Sequence, residues 1–161
     1  MTKYEQLEMA IPAKPEYVAI ARLTVSGVAN RMGYTYDEIE DIKIAVSEAC
    51  ANAVQHAYEE NEEGSMTLTC NVYPNDRLEV IVKDSGVTFD KDSVKRQSSP
   101  ITENHDLDSL HEGGLGILMI EALMDRVTIE KANGVTVHMT KYMNRDEVGQ
   151  SASKVSTTPS Q

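Results

Sequence analysis

The amino-acid sequence predicts an α/β two-layer sandwich, with helices covering one face of a mixed, mainly antiparallel sheet. Three observations lead to that expectation. The 161 residues, 40% hydrophobic and 25% charged, suit one globular domain with a sizeable core. Apolar residues recur at helical spacing in two consecutive stretches near the start and alternate at strand spacing elsewhere. The resulting order, strand, helix, helix, strand, strand, helix, strand, strand, supplies one layer of each kind.

Each element has local reasons. "YEQLEMAIP" alternates loosely and reads as an edge strand stopped by Pro12. Pro15 suits a first helical position. Val18, Ala21, Val25, Val28 and Met32 follow at alternating spacings of three and four, and Gly33 closes that helix. Thr35 and Glu38 form a capping box opening a second helix, whose apolar stripe is Ile39, Ile42, Val46, Ala49 and Ala53. The polar run "EENEEGS" ends it. Met66, Leu68, Cys70 and Val72 then alternate with polar residues, and "PNDR" turns the chain into "LEVIVKD". Consecutive apolar residues mark that second strand as the more central. The pattern is lost from about Ser85 to Glu112, a polar stretch broken by Pro100, which reads as a lid over about residues 87–112. "GGLGILMIEALMDR" gives a glycine turn and a short helix, and "VTIEK", "ANG" and "VTVHMTKY" give a terminal hairpin. One domain is therefore expected over residues 1–143, followed by a polar, disordered tail over 144–161.

The formal net charge of −11 argues against direct nucleic-acid binding, which needs a basic footprint. It leaves room for a nucleotide, whose phosphates magnesium and backbone amides can hold, and it suits a protein partner with a basic surface. No apolar run approaches the roughly 18 residues a membrane span requires. "MTKYEQLEMAIP" lacks the charged-then-apolar layout of a signal peptide. Cys50 and Cys70 have no metal-ligand spacing and fall inside apolar patterns, so buried free thiols in a cytoplasmic protein are expected.

Three features bear on chemistry. In the second helix, "SEACANAVQHAY" aligns Glu48, Asn52 and His56 at steps of four, on one face beside the apolar stripe. A glutamate there can accept a hydroxyl proton as that hydroxyl attacks a phosphate, and the Asn52 amide oxygen suits magnesium. Spacing alone favours a solvated helix edge, and His56 equally suits a structural role. At the end of "LEVIVKD", Asp84 can accept from an exocyclic amine such as that of adenine, and Gly86 would let a flat ring approach. Taken alone, an ordinary turn explains that pair. Gly113, Gly114 and Gly116 directly precede a helix, whose exposed N–H groups favour phosphate. The Walker pattern, the dinucleotide fingerprint and the protein-kinase signatures are all absent.

In this order and around a long lid, the three together resemble the GHKL family of ATP-binding domains, over about residues 5–142. Glu48-x-x-x-Asn52 is similar to its N-box, Asp84-Ser85-Gly86 to its G1 box and Gly114-Leu115-Gly116 to its G2 box. More narrowly, "DIKIAVSEACANAVQHAY", "EGGLGI", "LMD" and "GVTVHMTKY" resemble the small anti-sigma-factor serine kinases of Gram-positive bacteria. That resemblance implies a cytoplasmic homodimer that uses ATP and Mg2+ and sequesters a sigma factor of the sigma-B, stress-response type. It further implies phosphorylation of a serine on an anti-anti-sigma antagonist, which leaves the sigma factor bound.

Position by position, the resemblance implies a general base at Glu48, a magnesium ligand at Asn52 and an adenine reader at Asp84, with room made by Gly86. Gly113, Gly114, Leu115 and Gly116 would wrap phosphates under the lid. His56 and Thr136 would complete the ATP site, Thr136 near the adenine, and Arg22 would lie on a partner-facing surface. Two positions depart from the pattern. Thr88 stands where many members have a second G1 glycine, and Glu112 where some carry a phosphate-facing arginine. Unless another cation reaches the γ-phosphate, the second departure implies slow transfer. Two other readings compete. One is a non-catalytic ATP-binding partner-switch module, which has no need of Glu48. The other is a detached catalytic domain of a sensor histidine kinase, whose helical dimerisation domain does not fit within 161 residues.

Overall fold

A computed structural model describes residues 3–59, 64–85, 115–131 and 134–143. The expected lid, the expected tail, and Gly86, Gly113 and Gly114 lie outside the described residues. In chain order the described elements are β1 (Glu5–Pro12), α1 (Pro15–Met32), α2 (Tyr36–Glu59), β2 (Ser65–Tyr73), β3 (Arg77–Ser85), α3 (Leu115–Leu123), β4 (Arg126–Glu130) and β5 (Thr136–Tyr142).

The helix boundaries fall where local chemistry sets them. Pro15 occupies the first turn of α1, and Gly33 ends it in the left-handed region at φ +95°, donating its N–H to Asn30 O at 3.1 Å. The Glu38 backbone N–H then donates to Thr35 Oγ1 at 3.2 Å, the N-terminal cap of α2. Between the two helices, the buried Tyr34 reaches across the molecule, its hydroxyl donating to Lys141 O at 2.5 Å. The α1–α2 corner is thereby tied to β5.

The five strands pair in the order β1-β2-β3-β5-β4, and every pairing is antiparallel. The mainly antiparallel expectation holds, and β3 is central as its apolar run implies. No parallel pair occurs among the described strands. A strand–helix–strand crossover does leave β3 and β4 pointing the same way, but β5 inserts between them and splits the parallel pair. One sheet face carries Met66, Leu68 and Cys70, then Leu78, Val80 and Val82, then Val137 and Met139. It packs against Ala21, Val25 and Ala29 of α1 and Ile42, Val46, Ala49 and Ala53 of α2 in one core. Because side chains alternate along a strand, Asp84 continues the Leu78, Val80, Val82 row and also faces the helices.

Both cysteines belong to this core and are free. Burial pushes the Cys50 thiol up to about 12 and the Cys70 thiol up to about 11, so neither carries a reactive thiolate near neutral pH. A small thiol reagent at pH 7 is expected to label neither cysteine in the folded protein and both once denaturant is added. Prompt labelling of the folded chain would contradict this packing. Among the described residues no helix is long and apolar enough to cross a membrane.

Candidate active site

The site is built along α2. Its fully buried residues, among them Ile42, Ala45, Val46, Ala49, Cys50 and Ala53, press on the sheet and on α1. Glu48, Asn52 and His56 are half-buried and run along the border of that face. At a rise of about 1.5 Å per residue, the row from Glu48 to His56 spans about 12 Å. Each end of the row meets a different element.

At the Glu48 end it meets the start of α3. A Cβ placed on Gly116 would lie 3.0 Å from Glu48 Oε2 and 3.8 and 3.9 Å from the two polar atoms of the Asn52 amide. The second residue of α3 therefore faces the carboxylate and borders the amide, with too little room between them for a side chain. The first-turn N–H groups of a helix lack intrahelical acceptors and carry a partial positive charge. No acidic residue in the first turn of α3 opposes that charge. A carboxylate, an amide oxygen and an anion-favouring helix start thus converge here.

At the other end the row meets β3. Asp84 is only 1% exposed, and His56 Nδ1 lies 2.7 Å from its Oδ2. A buried carboxylate is costly unless it accepts hydrogen bonds, and a bond to an ionised acceptor is among the stronger kinds. The Asp84 backbone is held as well, its N–H donating to Val135 O at 2.9 Å. Gly134, at φ +93°, lies so close that a Cβ there would sit 2.5 Å from Asp84 O.

The structure thus brings Glu48, Asn52 and Gly116 together, and likewise His56 and Asp84, with α2 linking the two groups. Leu115 begins α3 beside Gly116. Thr136 requires a correction. The register pairs it with Lys83, so it points to the sheet face opposite that of Asp84, and Val135 is the residue brought alongside Asp84. The sequence held the signal: Val135, Val137 and Met139 share one apolar parity, and Thr136, His138 and Thr140 share the polar one. Gly134, which the sequence gives only as part of an Asn-Gly turn, belongs with the site. Arg22 is exposed on α1 beside Leu23, itself 71% exposed.

The histidine kinase-like ATPase domain family matches residues 11–141. The serine-protein kinase RsbW of Bacillus subtilis is 57% identical over 144 residues, 89% of this chain and 89% of that one. The chain belongs to the RsbW family of serine-protein kinases. The RsbW proteins of Bacillus cereus and Oceanobacillus iheyensis are 51% and 47% identical, over 98% of this chain and 97% and 99% of theirs. A crystal structure of the RsbU and RsbW domains of a Mycobacterium tuberculosis protein has a TM-score of 0.59 and 21% identity. It covers 85% of this chain and 31% of its own, and it shows the shared fold. Membership in this ATPase-domain family makes ATP the nucleotide of the RsbW site. The residues present fit it: the cradle that a Gly116 side chain would fill is bordered by oxygen-bearing groups suited to a hard cation.

Proposed function

We propose that this protein is an ATP-dependent serine kinase that doubles as an anti-sigma factor. In this reading it holds a sigma factor of the sigma-B type and phosphorylates a serine of the anti-anti-sigma antagonist that would release it. One observation favours a kinase over a passive nucleotide binder: Glu48 Oε2 lies 3.0 Å from the Cβ position of Gly116, at the start of α3. A binder gains nothing from a carboxylate held where phosphates gather, since it repels them. A kinase needs a proton acceptor there.

ATP with magnesium supplies the phosphoryl group and the charge neutralisation that its transfer requires. Glu48 takes the proton of the incoming serine hydroxyl as the new O–P bond forms and the β–γ bond breaks. Asn52 would hold a magnesium ion through its amide oxygen, and the ion would supply neutralisation of phosphate charge. The first-turn amides of α3 hold phosphate oxygens, and Gly116 keeps that approach open. Asp84 accepts from the amino group of adenine. Gly86, Gly113 and Gly114 complete the purine and phosphate contacts in this reading by their resemblance to the family's glycine boxes.

Incubation with γ-labelled ATP and the candidate antagonist tests the proposal. Label is expected on a serine of the antagonist. Nucleotide binding without transfer would leave the partner-switch module as the better reading, and label on a histidine would favour a histidine kinase.

Partner binding is proposed for the exposed side of α1 that carries Arg22, the position that the family resemblance assigns to a partner-facing surface. Arg22→Ala is expected to weaken sigma-factor binding by about tenfold or more, as for an interface arginine, and to leave ATP affinity unchanged. Titration calorimetry with each ligand checks both halves. By the same family resemblance we place the protein in the cytoplasm as a homodimer.

A further inference from the structure

We propose that His56 is a positioning residue for base selection, holding the Asp84 carboxylate in the one rotation that suits a 6-aminopurine. This rests on the reading of Asp84 as the adenine acceptor. The terminal torsion of an aspartate is broad and nearly two-fold, so burial alone does not orient its oxygens. The backbone is fixed by the Val135 bond and by the close approach of Gly134. His56 Nδ1, at 2.7 Å from Oδ2, acts on the carboxylate itself and favours one rotation of it. The residue doing so comes from α2, 28 positions away, and that helix also carries Glu48 and Asn52. The imidazole donates from Nδ1 to the carboxylate, and the second oxygen is thereby set in direction too.

A hydrogen bond contributes to selectivity only if its acceptor is already aimed when the ligand arrives. A carboxylate free to rotate would lose orientation on binding a 6-amino group, and it would lose nothing on binding a base without one. Removing His56 should therefore weaken ATP specifically. Purine riboside triphosphate, which lacks the 6-amino group and keeps the ring, ribose and phosphates, should be little affected.

The experiment measures dissociation constants of ATP and purine riboside triphosphate for the wild-type chain, His56→Ala and His56→Asn. Wild type is expected to prefer ATP by about 10- to 100-fold, the range of a hydrogen bond to a charged acceptor. In His56→Ala that preference should fall to within about threefold, while the affinity for the purine analogue changes by no more than about twofold. In His56→Asn most of the preference should return, because the asparagine amide nitrogen sits the same number of bonds from Cβ as Nδ1. Equal weakening of both nucleotides in His56→Ala, or an unchanged preference, would overturn the proposal, since a purely structural histidine predicts one or the other. If wild type itself does not distinguish the two nucleotides, Asp84 is not the adenine acceptor. The proposal then falls with that reading and for a separately visible reason. Should His56→Ala fail to fold, loss of the preference in His56→Asn overturns the proposal alone.

Discussion

Glu48→Gln is expected to slow phosphotransfer by about 10²- to 10⁴-fold, the usual contribution of a positioned general base, with ATP affinity close to wild type. Glutamine keeps the shape that rests against Gly116, 3.0 Å from its Cβ position, so the start of α3 stays in place. What is lost is the ability to take a proton. Removing the carboxylate's charge also relieves repulsion of phosphate, so nucleotide binding has no reason to weaken. Asn52→Ala gives the opposite pattern. In the proposed role it removes the amide oxygen that would hold magnesium, so it should weaken magnesium-dependent ATP binding, and its defect in transfer should shrink at saturating nucleotide. Single-turnover transfer rates at saturating ATP, set beside equilibrium ATP titrations with and without magnesium, separate the two roles. Equal losses of ATP affinity in both variants would mean that the assignment of base and metal ligand is wrong.

Gly134→Ala is expected to cost both stability and nucleotide affinity. The residue is at φ +93°, where an L side chain is strained by roughly 1–2 kcal/mol, and the added Cβ would meet Asp84 O at 2.5 Å. The obstacle is main chain in the central strand and cannot swing aside. Either the β4–β5 turn moves out or the end of β3 does, and in both cases the Asp84 carboxylate leaves its position against His56. Destabilisation of about 2 kcal/mol or more follows from the strain and overlap together, read from denaturant unfolding. ATP affinity should fall alongside it. Gly27→Ala is the control: it lies within α1, and a Cβ there meets nothing within 4 Å. That change should stabilise by about 0.5–1 kcal/mol through helix propensity.

Much of the architecture was legible because it is set by neighbours in sequence. Pro15, Gly33 and the Thr35–Glu38 cap fix helix ends through bonds spanning one turn, and the α2 stripe fixes which side faces the core. From that stripe the half-buried row of Glu48, Asn52 and His56 follows directly. The contacts that give the row its meaning are long-range. Nothing local to His56 states that Asp84 lies against it, and nothing local to Gly134 states that β3 passes within van der Waals reach. Thr136 shows a different difficulty. A strand changes face with every residue, so a residue can match a family position by sequence and still point away from the site. The position of β5 was equally hidden, since apolar alternation shows that a strand has a buried face and not which neighbours it has.

That position has a consequence for how the protein comes into being. β5 is made after β4 yet lies inside it, next to β3. While the chain is still emerging from the ribosome, β1, β2 and β3 can assemble under α1 and α2, leaving β3 as an open edge from Arg77 to Lys83, the residues that β5 later pairs. Asp84 at that stage has neither the Val135 carbonyl nor the Gly134 turn beside it. An unfinished chain thus offers no complete site to a purine. Nucleotide stabilises only chains whose hairpin has docked, by an amount that grows with its concentration. On the reading of Asp84 as the adenine acceptor, ATP therefore holds a docked hairpin in place and gives an undocked one no support.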